Sequence, residues 1–196
     1  VTFTGRPTFT IEQVGPHAPY YIENVKEALE RPGEWYLDRP TGLLAYLPHD
    51  GEALGDCRLV APLLARVLIF EGDYQNGQFV DHVQFENITF SHNESPLPRK
   101  GYGGSQGQPD LPAAIEMTGA RHCSFSRCTI AQTGNYGIGI GLGCHGNRVE
   151  GCRLYDLGGG GVKVGSIRMK ASAEAPTVPT GNAIENCAIS DGGLMY

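Results

Sequence analysis

Four eight-residue segments in the second half of this chain align without gaps: Phe85–His92, Phe125–Gln132, Val149–Asp156 and Ile184–Asp191. Apolar or cysteine side chains fill the first, fourth and sixth columns in all four. Short alternating runs that end in Gly/Asn-rich turns predict a strand, a tight bend and a second strand in each repeat. The repeats are 40, 24 and 35 residues apart. The shortest spacing fits one bare coil of a parallel β-solenoid, and the excess in the other two falls between Glu94 and Pro112 and between Ser166 and Thr180. Both stretches are predicted to project from the stack as loops, where solenoids place binding surfaces. A further strand per coil is expected at Ala114–Met117, Gly137–Ile140 and Gly161–Val164.

Composition agrees with this pattern. The 28 glycines among 196 residues are about twice the usual ~7% share and argue against a helical bundle. The net charge of −6, with no basic run, leaves no electrostatic footprint for nucleic acid. The longest apolar stretch, Leu59–Phe70, is interrupted by Pro62 and Arg66 and is far shorter than a membrane span, so it is expected to be a buried strand. In the first third, a short helix is expected over Ile22–Glu30. A hairpin follows, pairing 34–38 with 43–48 across Arg39-Pro40-Thr41-Gly42, with Trp35 in an aromatic core. The expected division is therefore 1–70, inserted in or packed on the solenoid, and 71–196 as its coils.

The six cysteines form no CxxC pair and lie at no metal-finger spacing from histidine, so neither a zinc site nor any cofactor is expected. The fourth column reads Ile88, Cys128, Cys152, Cys187, which is expected to be a buried ladder of small thiols.

The eighth column reads His92, Gln132, Asp156, Asp191. If the coils are in register, the two aspartates sit one strand spacing apart, at roughly 5 Å. Like charges that close shift one another's protonation, giving the asymmetry of an acid and a nucleophile or base. The competing reading is turn chemistry, with each carboxylate capping backbone N–H groups.

The run Tyr21–Val25, Pro32–Asp38, Thr41-Gly42, Tyr46–Pro48 and Val83–His92 resembles secreted bacterial right-handed parallel β-helix proteins, and most closely glycoside hydrolase family 141. The likeness extends from about Tyr20 to Tyr196, and the Pro32–Asp38 segment is its most specific part. It implies an all-β, right-handed parallel β-helix carrying a small α+β/β-hairpin segment near the N-terminus. The function implied is hydrolysis of plant cell-wall glycans, with Asp156 and Asp191 as the acid and nucleophile pair. His92, Gln132, Tyr102 and Lys163 are expected to bind a polysaccharide or oligosaccharide substrate, with no metal, no membrane span and a monomeric full-length protein. An extracellular or periplasmic location is implied, the signal peptide lying outside this sequence. The chain stops at Tyr196 where another strand is due, so it is expected to be a fragment, poorly soluble or inactive alone. Two alternatives remain open at this point: a polysaccharide lyase of the β-helix type, and a non-catalytic carbohydrate-binding surface solenoid.

Overall fold

The computed structural model describes residues 23–95, 110–165 and 177–194. The described residues divide into two compact units, one ending at Val60 and a larger one from Ala61 onward.

In the smaller unit, β1 (Trp35–Asp38) and β2 (Leu43–Tyr46) pair antiparallel, with Trp35 opposite Tyr46 and Asp38 opposite Leu43. The turn between them is closed by the Thr41 hydroxyl, which donates to Asp38 at 2.6 Å. Glu34 accepts the backbone N–H groups of Glu30 and Arg31, and Asn24 brackets Leu37 through both its N–H and its C=O. Gly33 has φ of +90°, and a Cβ there would lie 2.7 Å from the His49 ring. The Pro32–Asp38 segment is thus a set of turn and cap interactions. The expected helix over Ile22–Glu30 is only a 3-10 turn at Lys26–Ala28, whose N-cap Val25 offers no capping side chain. Trp35 is 61% exposed rather than part of an aromatic core.

The larger unit is a parallel β-helix of four described coils. The first contains β3 (Leu68–Glu71), β4 (Val80–Asp81), β5 (Gln84–Glu86) and β6 (Thr89–Asn93). The second contains β7 (Ala113–Thr118), β8 (Ala120–Arg121), β9 (Ser124–Ser126) and β10 (Thr129–Thr133). The third contains β11 (Tyr136–Ile140), β12 (Arg148–Glu150) and β13 (Arg153–Leu157), and the fourth β14 (Val162–Val164), β15 (Ala183–Glu185) and β16 (Ala188–Ile189). Three four-stranded sheets result, β3-β7-β11-β14, β5-β9-β12-β15 and β6-β10-β13-β16, with β4-β8 at a corner between the first two. Bridges from Arg121 to His145 and from His145 to Thr180 extend that corner through the remaining coils. The expected strand over Leu59–Phe70 is confined to Leu68–Glu71, because Pro62 has no N–H for a ladder.

The aligned columns are true neighbours. Phe85, Phe125, Val149 and Ile184 pair in succession, as do Phe90, Ile130, Leu154 and Ile189. Inside the coil, Phe85 stacks on Phe125 at 5.2 Å, with Phe70 and Phe90 edge-on to them. Ile115, Ile130, Ile138 and Leu154 are fully buried, each contributing about 1.5–3 kcal/mol. The six cysteines are free, and the ladder thiols are donors as well as fillers: Cys128, Cys152 and Cys187 point Sγ at the carbonyls of Phe85, Phe125 and Val149, 3.5–3.6 Å away in the preceding coil. Burial pushes the Cys152 thiol up to about 11, so it stays protonated and can donate.

The corners share one backbone device. Residues with positive φ recur every fifth position along each coil: His82, Asn87 and His92; His122, Arg127 and Gln132; Gly146, Gly151 and Asp156; Gly181, Asn186 and Asp191. One left-handed residue between extended neighbours redirects the strand, and Gly, Asn and Asp tolerate that conformation best. Arg127 is the costly exception in its column of Asn87, Gly151 and Asn186, and among the described residues its side chain holds only an exposed ion pair with Glu86. Arg127→Asn is therefore expected to leave the melting temperature nearly unchanged, whereas Arg127→Val should lower stability by ~1–2 kcal/mol, a fall of several degrees by calorimetry. Equal melting temperatures for the two variants would contradict the corner assignment.

Candidate functional site

The eighth column is the third of these corner ladders. His92, Gln132, Asp156 and Asp191 have φ of 61°, 52°, 55° and 48°; the ladder pairing skips the first three, and Asp191 lies beyond the last paired residue, Ile189. The stacking is direct: Ser91 and Asn93 pair with Ala131 and Thr133, these with Tyr155 and Leu157, and the Leu157 N–H donates to the Asp191 carbonyl at 2.8 Å. His92 is half-buried, and Gln132, Asp156 and Asp191 are exposed.

Left-handed backbone explains the polar residue types, but backbone capping does not explain the carboxylates. Asp73 shows what capping looks like here, accepting the Asn76 N–H at 3.3 Å. Among the described residues, the Asp156 carboxylate has no hydrogen-bond or ion-pair partner, and the Asp191 carboxylate accepts only the Ser190 hydroxyl at 3.0 Å. Two carboxylates in adjacent coils are thus left facing solvent, with their backbones on the order of 4.8 Å apart.

Lys163 is not brought to this column. It lies on the outer face of the β3-β7-β11-β14 sheet, in the column Ile69, Glu116, Gly139, Lys163. Its side chain crosses Gly139, where a Cβ would lie 3.0 Å from Lys163 Cε and 3.2 Å from Glu116 Oε1. It thereby reaches from the fourth coil to the second, donating to the Leu111 carbonyl, with Nζ 3.9 Å from Glu116 and 5.6 Å from the centre of the Tyr136 ring. Glu116 also accepts the Ala113 N–H at 2.8 Å and lies 4.0 Å from Arg66. Burial holds Lys163 below the ordinary lysine range, partly offset by the charge of Glu116. The two expected projecting loops fall largely outside the described residues, at 96–109 and 166–176. Tyr102 lies outside the described residues.

Two groupings escaped the sequence reading. Glu116 was visible only as a strand residue, because its link to Lys163 depends on a glycine in the coil between them. Asp81, His82, Arg121 and His122 cluster at the corner of β4 and β8. The signal for them was present: His82 and His122 stand five residues before Asn87 and Arg127, the next left-handed positions of their coils. Burial would raise Asp81, but the Arg121 and His122 hydrogen bonds, with the charges of Arg121 and His82, hold its carboxyl below the usual range.

The profile described as "Right handed beta helix region" matches residues 69–194, well over half of the chain. The chain belongs to the right-handed β-helix family. Its fold is also similar to a solved structure titled "Glycoside hydrolase", with a TM-score of 0.73 and 25% sequence identity over 88% of this chain. The chain spans 35% of the length of that protein. Among curated protein sequences, no significant match is found. No helix among the described residues is long and apolar enough to cross a membrane.

The Lys163 environment fixes a pH response. Its folded-state pKa lies below the ordinary value of 10.5, so between the two the unfolded chain binds a proton that the folded chain does not. Stability due to this group therefore rises with pH across that window. Urea unfolding of wild type and Lys163→Met from pH 8 upward should show the wild type gaining on the variant as pH approaches 10.5. A difference that stays flat or moves the other way would contradict the placement.

Proposed function

We propose that this chain is part of a glycoside hydrolase of the family 141 kind, which cleaves glycosidic bonds of plant cell-wall or related polysaccharides with Asp156 and Asp191. The observation that carries the reading is the pair of uncapped, exposed carboxylates stacked in adjacent coils. The likeness to a glycoside hydrolase supports the reaction class. A polymer of this kind is met outside the cytoplasm, which fits an extracellular or periplasmic protein.

In the proposed reaction one carboxylic acid protonates the glycosidic oxygen while the other carboxylate attacks the anomeric carbon. Water then hydrolyses the glycosyl-enzyme, with the first residue acting as base. A separation of ~5–5.5 Å suits this double displacement, and the coil spacing supports it. Asp191, acceptor of the Ser190 hydroxyl, is assigned as nucleophile and Asp156 as acid. His92 and Gln132 continue the column along two further coils, one polar side chain per coil, as a track for neighbouring sugars.

A second reading, β-elimination, rests on one observation: Lys163 is a half-buried lysine with lowered proton affinity on the outer face of a sheet. It is engaged by Leu111 and Glu116, which disfavours it as a base.

Asn is close in shape to Asp and tolerates left-handed backbone, so Asp156→Asn and Asp191→Asn are expected to fold as wild type. In the full-length protein each should lower kcat/KM on plant cell-wall oligosaccharides by ~10²–10⁴-fold. Retained turnover in both, or ultraviolet-absorbing unsaturated products that vanish in Lys163→Gln, would overturn the hydrolase reading.

A further inference from the structure

The corner formed by β4 and β8 holds a second cluster, away from the carboxylate column. Val80 and Asp81 pair in register with Ala120 and Arg121, so the following residues, His82 and His122, stack in successive coils. Both have positive φ, 57° and 53°, and their rings are 5.0 Å apart, centre to centre. The next residue in that ladder is Gly146, where a Cβ would lie 3.0 Å from His122 Cδ2. The His122 ring thus leans over a space that any larger residue would fill.

Both imidazoles turn Nδ1 toward the same oxygen. Asp81 Oδ1 is 2.7 Å from His82 Nδ1 and 3.2 Å from His122 Nδ1. The other carboxylate oxygen is held by Arg121 Nε at 2.6 Å, and the Arg121 guanidinium lies over the Phe79 ring at 4.6 Å. The carboxylate is therefore oriented from behind by a cation with its own packing partner, while its front oxygen meets two ring nitrogens. A tetrahedral ion with bonds of ~2.0 Å needs ligand atoms ~3.3 Å apart. One ligand atom from each of the three residues lies within 4.8 Å of the others; the His122 separation of 3.2 Å matches that edge, and the His82 separation of 2.7 Å is shorter and has to open for an ion to enter. The His82 and His122 side chains are 71% and 54% exposed, leaving an open side for water.

We propose that Asp81, His82 and His122 form a binding site for a divalent transition-metal ion of the zinc class, with water completing the shell and Arg121 orienting the carboxylate from outside it. Two imidazoles and one carboxylate match borderline ions such as Zn²⁺, Co²⁺ and Ni²⁺; calcium and magnesium prefer all-oxygen shells. Binding uses the Nδ1 lone pairs, so any proton held there is released to solvent, and affinity falls as pH falls. The ion would tie the first coil to the second, joining residues 40 positions apart in sequence (His82 to His122).

The test is titration of the full-length, tag-free protein with Zn²⁺ by calorimetry, and with Co²⁺ by visible absorption. One saturable equivalent is expected, with a cobalt spectrum lacking thiolate bands, and a melting temperature that rises with zinc concentration. His82→Asn and His122→Asn keep a residue suited to left-handed backbone, so their metal-free melting temperatures should match wild type while affinity falls at least tenfold. Absence of saturable binding in the wild type would overturn the proposal, as would binding that survives His122→Asn unchanged.

Discussion

Everything in the larger unit depends on parallel backbone hydrogen bonding between successive coils, kept in register by left-handed corner residues. The ladder sets a spacing of about 4.8 Å, and the corners decide which residue of each coil stands above which. Side-chain columns follow from those two constraints: the Phe85–Phe125 stack inside, the thiol ladder pointing at the carbonyls of the coil before, and the polar corner columns outside. A one-residue slip in any coil would turn buried residues such as Ile130 and Leu154 outward, so core burial defends the register on which the corners rely.

The same constraint explains how a chain with few charged residues concentrates chemistry. Corner positions must tolerate positive φ, and outside glycine that favours Asn, Asp and His, residues that also bind protons, sugars and metals. Two of the three corner ladders end in functional possibilities for this reason, and the third, Asn87, Arg127, Gly151 and Asn186, remains structural. The requirement of the backbone and the demands of a site therefore coincide, and the uncapped state of Asp156 and Asp191 separates them from an ordinary turn such as Asp73.

Much of the solenoid was legible because its signal is periodic. The four aligned segments pair column by column, and the extra strands at Ala113–Thr118, Tyr136–Ile140 and Val162–Val164 fall where expected. The hairpin was legible from its turn chemistry. What failed was local apolarity read without periodicity: Ile22–Glu30 has no cap and forms a single 3-10 turn, Leu59–Leu64 forms no strand beside Pro62, and Trp35 is exposed. The link between Glu116 and Lys163 was hidden because it spans two coils over Gly139, a relation no linear spacing encodes. The histidine corner was hidden for a simpler reason, since the repeat was aligned from its first apolar column and His82 and His122 lie just before it.

The proposed chemistry rests on the coil spacing between two aspartates, and that spacing has a stereochemical consequence. Proton NMR of the first sugar released by the full-length protein from a plant cell-wall oligosaccharide reports its anomeric configuration before mutarotation. Carboxylates stacked in adjacent coils predict retention, through a glycosyl-enzyme on Asp191. An inverted product would contradict the account, because inversion requires a gap of ~6.5–9.5 Å for a water molecule between the two carboxyl groups.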